Sequence, residues 1–122
     1  MRHLIDFGDL PRHEWDALYA RASQIMDDPS QFVDVCKGRV SCNLFYEPML
    51  RLGGTVFGFA DPNSSSVAKG ETLKDTIKMV SGYADVVVMR TPWEGSAKAA
   101  SLYSAVPVVN AGDGGHMHPT QT

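Results

Sequence analysis

Polar side chains that could do chemistry stand at or just past the ends of the predicted β-strands. Each is followed by a stretch that contains Gly, Pro or Ser: Glu47, Asp61, Arg90 and Asn110. Because functional groups in a parallel sheet gather beyond the carboxyl ends of its strands, these residues predict a single cleft. Arg90 closes the most apolar strand, so we expect its charge to emerge beside that cleft. The alternative is a solvated surface arginine that pairs with Asp85 or Glu94.

The two cysteines, Cys36 and Cys42, do not suggest a metal or redox site. No histidine lies at metal-ligand spacing from either of them, and two cysteines do not make a disulfide framework. We expect both to be core residues with reduced thiols. The sequence therefore predicts a cytoplasmic, metal-free protein with reduced thiols.

Helices and strands alternate along the chain. The predicted helices cover three ranges: Pro11 to Asp27, Thr72 to Tyr83, and Glu94 to Tyr103. The first carries one apolar stripe, formed by Trp15, Leu18, Tyr19, Ala22 and Met26. The predicted strands cover four ranges: Arg39 to Tyr46, Thr55 to Phe59, Ala84 to Arg90, and Val106 to Asn110. This alternation predicts an α/β fold, a three-layer domain with a mainly four-stranded parallel sheet flanked by helices.

Composition limits the kinds of protein that this chain can be. It has 122 residues, of which 43% are hydrophobic and 20% are charged, as in a globular domain with one core. The formal net charge of −3 is spread without a basic stripe, which argues against a nucleic-acid partner. The apolar runs are too short to span a bilayer, and the first ten residues lack the apolar stretch of a signal peptide. We therefore expect neither a nucleic-acid nor a membrane partner.

Two features do not fit a complete domain. Only eight residues, Glu47 to Gly54, separate the first two predicted strands. A parallel crossover needs about a dozen residues or more, usually including a helix. Either these strands form an antiparallel hairpin, or a segment between them is missing. The chain also stops directly after a polar, Gly-rich stretch, as a domain cut at its linker would.

Four short motifs resemble the aspartate and ornithine carbamoyltransferase family. They follow in the family's order, and each stands at a predicted strand end or loop: Phe45-Tyr46-Glu47-Pro48, Lys69-Gly70-Glu71-Thr72, Val88-Met89-Arg90 and His118-Pro119-Thr120-Gln121. The likeness runs from about Leu4 to the last residue. Thr120 stands where the ornithine enzymes typically carry cysteine, so the resemblance favours aspartate as the acceptor.

The resemblance implies that the amine of L-aspartate attacks the carbonyl of carbamoyl phosphate and that phosphate leaves, the committed step of pyrimidine synthesis. Arg90 would contact the phosphate and the carbonyl oxygen, and His118 would donate to that oxygen as negative charge develops on it. Gln121 would bind the carbamoyl amino group. Ser65 and Lys69 would reach into the active site of a neighbouring subunit. The resemblance also implies a homotrimer, to which regulatory chains could be added, and no cofactor.

The chain departs from the family at the segment that binds phosphate. In the family the first motif is followed by S-T-R-T-R, a loop that opens a helix, whereas Pro48 is followed here by Met49. We expect about eleven residues to be missing between positions 48 and 49, in agreement with the short crossover. We also expect the aspartate-binding half to be absent. Residues 1–122 would then be a carbamoyl-phosphate-binding domain that is inactive alone.

Two other functions remain open for this sequence. The first is a non-catalytic module, or trimerisation scaffold, that keeps the fold. Phosphate would not protect such a module against thermal unfolding, because only a ligand that binds the native state stabilises it. The second is a receiver- or flavodoxin-like signalling domain. It would need an acidic cluster at the strand ends or a flavin loop, for which Asp61 and Asp113 are too sparse a signal.

Overall fold

The computed structural model describes residues 1–44, 54–58, 72–115, 118, 119 and 121. The helices are α1 (Arg12–Asp27), α2 (Leu73–Val80) and α3 (Ser96–Ser101), with 3-10 turns at Phe7–Asp9 and Pro29–Phe32. The strands are β1 (Val40–Leu44), β2 (Thr55–Gly58), β3 (Val86–Thr91) and β4 (Val108–Asp113). No helix within these ranges is both long and apolar enough to cross a membrane.

The four strands form one parallel sheet in the order β2-β1-β3-β4. Val40 of β1 lies opposite Thr55 of β2, and Cys42 of β1 lies opposite Val87 of β3. The predicted α/β fold, with its parallel sheet and flanking helices, is confirmed. The antiparallel hairpin considered for the first two strands is wrong, since these strands pair in parallel. All four carboxyl ends consequently lie at the same edge of the sheet, where ligands bind in folds of this class.

The core lies between the sheet and the two helices α2 and α3. β3 is buried at Val87, Val88 and Met89, because an unbroken apolar run suits a strand with neighbours on both faces. Side chains from both helices and from the adjoining strands complete the cluster: Cys42, Ile77, Val80, Ala97, Ala100 and Val108. This packing fixes the positions of the strand ends that carry the candidate site.

The predicted apolar stripe of α1 is present but mostly uncovered. Trp15 packs against Phe7, with 5.4 Å between the ring centroids, and its indole N–H donates to the Phe7 carbonyl. Leu18 and Met26, on the same stripe, are 46% and 80% exposed. The 3.6-residue period therefore identifies the apolar face of this helix but not what covers it.

The two cysteines differ in their surroundings. Cys42 is fully buried in β1, as predicted, and its burial raises the pKa of the thiol to about 11. Cys36 is only half-buried, so the prediction of a core position is wrong for this residue. It lies in the turns before β1 and contacts Gly54, the residue that precedes β2: a Cβ built on Gly54 would lie 3.2 Å from the Cβ of Cys36.

Candidate functional site

Arg90 lies in β3 after three buried residues and is itself exposed. Of its two predicted surface partners, Asp85 is engaged elsewhere. Its carboxylate accepts the backbone N–H of Val40 at 2.7 Å and a guanidinium N–H of Arg39 at 3.2 Å, and these bonds lower the pKa of Asp85. Within the described ranges no ion pair joins Arg90 to Asp85 or Glu94. The alternative of a surface ion pair at Arg90 is therefore wrong for these residues.

β4 ends in a hydrogen-bonded turn, residues 110–114, where the sequence predicts only a polar linker. Asn110 and Asp113 are fully buried. The Asn110 amide donates to the Ile5 carbonyl and to Asp113 Oδ1, each at 3.1 Å, and its oxygen accepts the N–H of Gly112 at 2.9 Å. Asn110 lies inside β4, opposite Met89 of β3, and the strand continues to Asp113, so the prediction that Asn110 stands at the strand end is wrong. Its side chain holds the turn together rather than facing a cleft.

The same turn is bonded to the loop that follows β3. Asp113 Oδ2 accepts the backbone N–H of Gly95 at 3.1 Å, and the N–H of Gly114 donates to the Thr91 carbonyl at 2.8 Å. Gly114 has a φ of +61°, and a Cβ there would lie 2.7 Å from the Pro92 carbonyl oxygen. Only glycine fits such a position. The carboxyl ends of β3 and β4 are therefore joined by both side-chain and backbone hydrogen bonds.

Arg90 and His118 come together at this edge, next to Gly112. A Cβ built on Gly112 would lie 3.2 Å from Cδ2 of His118 and 3.8 Å from Nε of Arg90. These two side-chain atoms are at most about 7 Å apart, the sum of the two distances. The carbonyl of His118 accepts the N–H of Gln121 at 3.0 Å, while Pro119 between them is buried. The fold thus places three of the predicted site residues at one edge, with the Gln121 side chain exposed.

Other predicted residues cannot be placed in this way. Ser65 and Lys69 lie outside the described residues, as do Glu47 and Asp61. Within the described ranges, no group of three or more His, Cys, Asp or Glu side chains is arranged to hold a metal ion.

The sequence did not single out Gly112 as a candidate functional residue, and it suggested Asp113 only as a sparse acidic signal. The sequence pattern that could have identified them is Gly112-Asp113-Gly114, two glycines, one on either side of an aspartate. Gly112 has a φ of +116° and Gly114 a φ of +61°, backbone conformations that residues with a Cβ rarely adopt. A Gly-rich stretch at a strand end is therefore compatible with a tightly bonded turn as well as with a linker.

Comparisons with known proteins cover almost the whole chain. Residues 2–122 match the family model described as aspartate/ornithine carbamoyltransferase, carbamoyl-P binding domain. The aspartate carbamoyltransferase catalytic subunit of Clostridium perfringens is 53% identical over 132 residues, and that of Clostridium botulinum is 54% identical over 132 residues. Each alignment takes in 99% of this chain and 43% of the relative. The chain therefore spans less than half the length of these curated relatives.

Solved structures similar to this chain are also aspartate transcarbamoylases, and the chain again covers less than half of each. The catalytic subunit of M. jannaschii aspartate transcarbamoylase matches with a TM-score of 0.85 at 42% identity, covering 99% of this chain and 44% of that one. Aspartate transcarbamoylase from Trypanosoma cruzi, in complex with carbamoyl phosphate and aspartate, matches with a TM-score of 0.85 at 34% identity. That match covers 98% of this chain and 44% of the T. cruzi chain.

Proposed function

We propose that this chain, which belongs to the aspartate/ornithine carbamoyltransferase family, is the carbamoyl-phosphate-binding domain of an aspartate carbamoyltransferase. The whole enzyme would convert carbamoyl phosphate and L-aspartate to N-carbamoyl-L-aspartate and phosphate, a step of pyrimidine biosynthesis. The names of the relatives support this acceptor, since those cited are aspartate carbamoyltransferase catalytic subunits. The T. cruzi structure, a complex with both substrates, supports the same pair of ligands.

The observation that carries the proposal is the meeting of Arg90 and His118 at the carboxyl edge of a parallel sheet. Carbamoyl phosphate is a small dianion with a reactive carbonyl. The Arg90 guanidinium can make charge-assisted hydrogen bonds to the phosphate and to the carbonyl oxygen. His118 can donate to the same oxygen, on which negative charge develops when the amine attacks. The exposed Gln121 amide lies one short turn from His118 and would bind the carbamoyl amino group.

Catalysis by such a site would consist mainly of orientation and electrostatic stabilisation. No group among Arg90, His118 and Gln121 needs to act as a nucleophile, because the aspartate amine itself attacks. We assign the binding of aspartate to the part of the relatives' length that residues 1–122 do not cover. Ser65 and Lys69 would complete the site from a neighbouring subunit of a cytoplasmic homotrimer, to which regulatory chains could be added.

A second candidate function is supported by the connection between β1 and β2. These strands pair in parallel, yet only ten residues, 45–54, join them, and a parallel crossover needs about a dozen or more. The alignments with the relatives run over 132 positions, whereas 99% of this 122-residue chain is about 121 residues. About eleven positions of the relatives thus have no counterpart here, which supports a missing segment, and the short β1–β2 connection supports its place between positions 48 and 49. A chain without it would be a non-catalytic module or trimerisation scaffold.

Calorimetric titration with carbamoyl phosphate tests both candidates. Two proteins are compared: the chain as it stands, with an intact mass of 13.3 kDa, and the same chain with the extra segment of the C. perfringens relative inserted after Pro48. We expect the chain with the insertion to bind carbamoyl phosphate. If only the chain with the insertion binds it, residues 1–122 without the insertion behave as the non-catalytic module. If neither protein binds, a carbamoyl phosphate site at Arg90 and His118 is excluded.

A pair of variants assigns that binding to Arg90. In the chain with the insertion, Arg90→Gln should weaken carbamoyl phosphate binding at least tenfold, since a hydrogen bond to a charged group contributes about 1.5–3 kcal/mol. Arg39→Gln makes the same change of charge beside Asp85, at the amino-terminal edge of the sheet, and should leave the affinity unchanged. Equal losses in the two variants would contradict the assignment.

A further inference from the structure

Gly112 lies next to both Arg90 and His118, the two side chains proposed to bind the substrate. A Cβ at this position would lie 3.2 Å from Cδ2 of His118, 3.7 Å from Cγ of Arg90 and 3.8 Å from its Nε. The distance to His118 is shorter than the optimal separation of non-bonded carbon atoms, about 3.5–4.0 Å. Arg90 is exposed and can yield, whereas His118 is half-buried and precedes the buried Pro119. A methyl group here would therefore displace the imidazole.

Buried polar side chains hold Gly112 in this place. Its N–H donates to Asn110 Oδ1 at 2.9 Å, and the Asn110 amide is fixed by bonds to Ile5 and Asp113. Asp113 in turn accepts the N–H of Gly95 at the start of α3. Asn110 and Asp113 are fully buried, and buried groups whose polar atoms are bonded in this way keep a single arrangement. The turn is thus anchored to the amino-terminal segment and to α3.

We infer that Gly112 is a positioning residue of the carbamoyl phosphate site, held by Asn110 and Asp113 so that Arg90 and His118 reach the same substrate. The inference rests on the proposed function. Donors to a developing oxyanion must lie at about 2.7–3.1 Å from it, and a Cβ 3.2 Å from His118 Cδ2 would force the imidazole to shift within so narrow a range. Because Gly112 has no Cβ, the side chains of Arg90 and His118 can both lie close to the turn and reach the same substrate. Any side chain at this position would move at least one of them.

The test compares Gly112→Ala with Gly38→Ala. Gly38 also has a positive φ, +77°, but a Cβ there would meet nothing within 4 Å. Both substitutions introduce left-handed backbone strain, so both should lower the urea midpoint, and only Gly112→Ala adds a contact with His118 and Arg90. We expect the NMR cross-peaks of His118 Cδ2–Hδ2 and Arg90 Nε–Hε to shift in Gly112→Ala and to stay in place in Gly38→Ala. Peaks that do not move in Gly112→Ala would overturn the inference.

Binding is measured with carbamoyl phosphate on the chain that carries the inserted segment. Gly112→Ala should weaken it at least tenfold, while Gly38→Ala should leave it unchanged. Equal affinities for the wild-type chain and Gly112→Ala would overturn the inference even if the peaks move.

If the wild-type chain with the insertion does not bind, the proposed function fails, and the cross-peaks still decide whether Gly112 positions the two side chains. If Gly112→Ala does not fold, an NOE between Gly112 Hα and His118 Hδ2 in the wild-type chain decides: its presence supports the inference, and its absence overturns it.

Discussion

The β3–β4 side and the β1–β2 side of the sheet differ in burial and in hydrogen bonding. At the β3–β4 side, Val87 and Val108 are fully buried, and the buried Asp113 accepts hydrogen bonds from Asn110 of β4 and from Gly95 in the loop that follows β3. At the β1–β2 side, β2 is an edge strand with exposed ends, and Val56 is only half-buried. Ten residues connect these two strands, too few for a parallel crossover with a helix. The donors proposed for the carbonyl thus lie beside the buried β3–β4 side, whereas the proposed phosphate loop would belong to the segment that we propose is missing between positions 48 and 49.

The largest effect that would sharpen this comparison is expected at Asp113. Asp113→Ala removes a fully buried carboxylate that accepts one bond from the buried Asn110 amide and another from the N–H of the exposed Gly95. We expect a loss of about 3 kcal/mol in the free energy of unfolding, measured by urea denaturation. Asp16→Ala is the control, because Asp16 is exposed on α1 and its ion pair with the exposed Arg12 is long, at 3.9 Å. It should change stability by no more than about 0.5 kcal/mol. Similar losses in the two variants would mean that the buried turn does not stabilise the β3–β4 side.

The same contrast shows what the sequence could and could not predict. The apolar run of β3 predicted a doubly covered strand, because burial on both faces demands apolar residues on both. The 3.6-residue period predicts the apolar stripe on α1, yet Leu18 and Met26 on that stripe are exposed. Periodicity identifies an apolar face but does not predict which element packs against it. Gly112 was missed because its role depends on contacts with Arg90, distant in sequence. His118, alone in a polar tail, was found only through the resemblance of its motif.

A matched pair of valines compares the packing of the two sides. Val108 in β4 is fully buried and Val56 in β2 is half-buried. Val108→Ala should cost about 2.5 kcal/mol, from lost apolar burial and the cavity left behind. Val56→Ala should cost about 1 kcal/mol or less, because water already reaches part of its surface. Urea midpoints measured under the same conditions give both values. Equal losses would show that the β2 edge is packed as tightly as the core side.

The smallest expected effect is a difference in reactivity between the two thiols. Cys36 contacts the residue before β2 and is half-buried, whereas Cys42 lies in the core cluster. In the native chain at pH 8, a thiol reagent should therefore modify Cys36 quickly and Cys42 only after unfolding, because the buried thiol is neutral and inaccessible. Mass spectrometry of the digested chain identifies the modified residue. Fast modification of Cys42 would mean that the core opens between β1 and its neighbours.

The raised pKa of Cys42 also predicts a pH dependence of stability. Burial raises this pKa from 9.0 to about 11, so between pH 9 and pH 11 the unfolded chain loses the thiol proton while the folded chain keeps it. The unfolded state then binds fewer protons, and the free energy of unfolding must fall as the pH rises through this window, with no contribution from this thiol below pH 9. Other groups titrate in the same range, so the quantity to measure is the difference in slope between the wild-type chain and Cys42→Ala. The variant should lose less stability between pH 9 and pH 11. Identical slopes would show that the thiol is hydrated in the folded state and that β1 is not sealed by the β3–β4 side of the core.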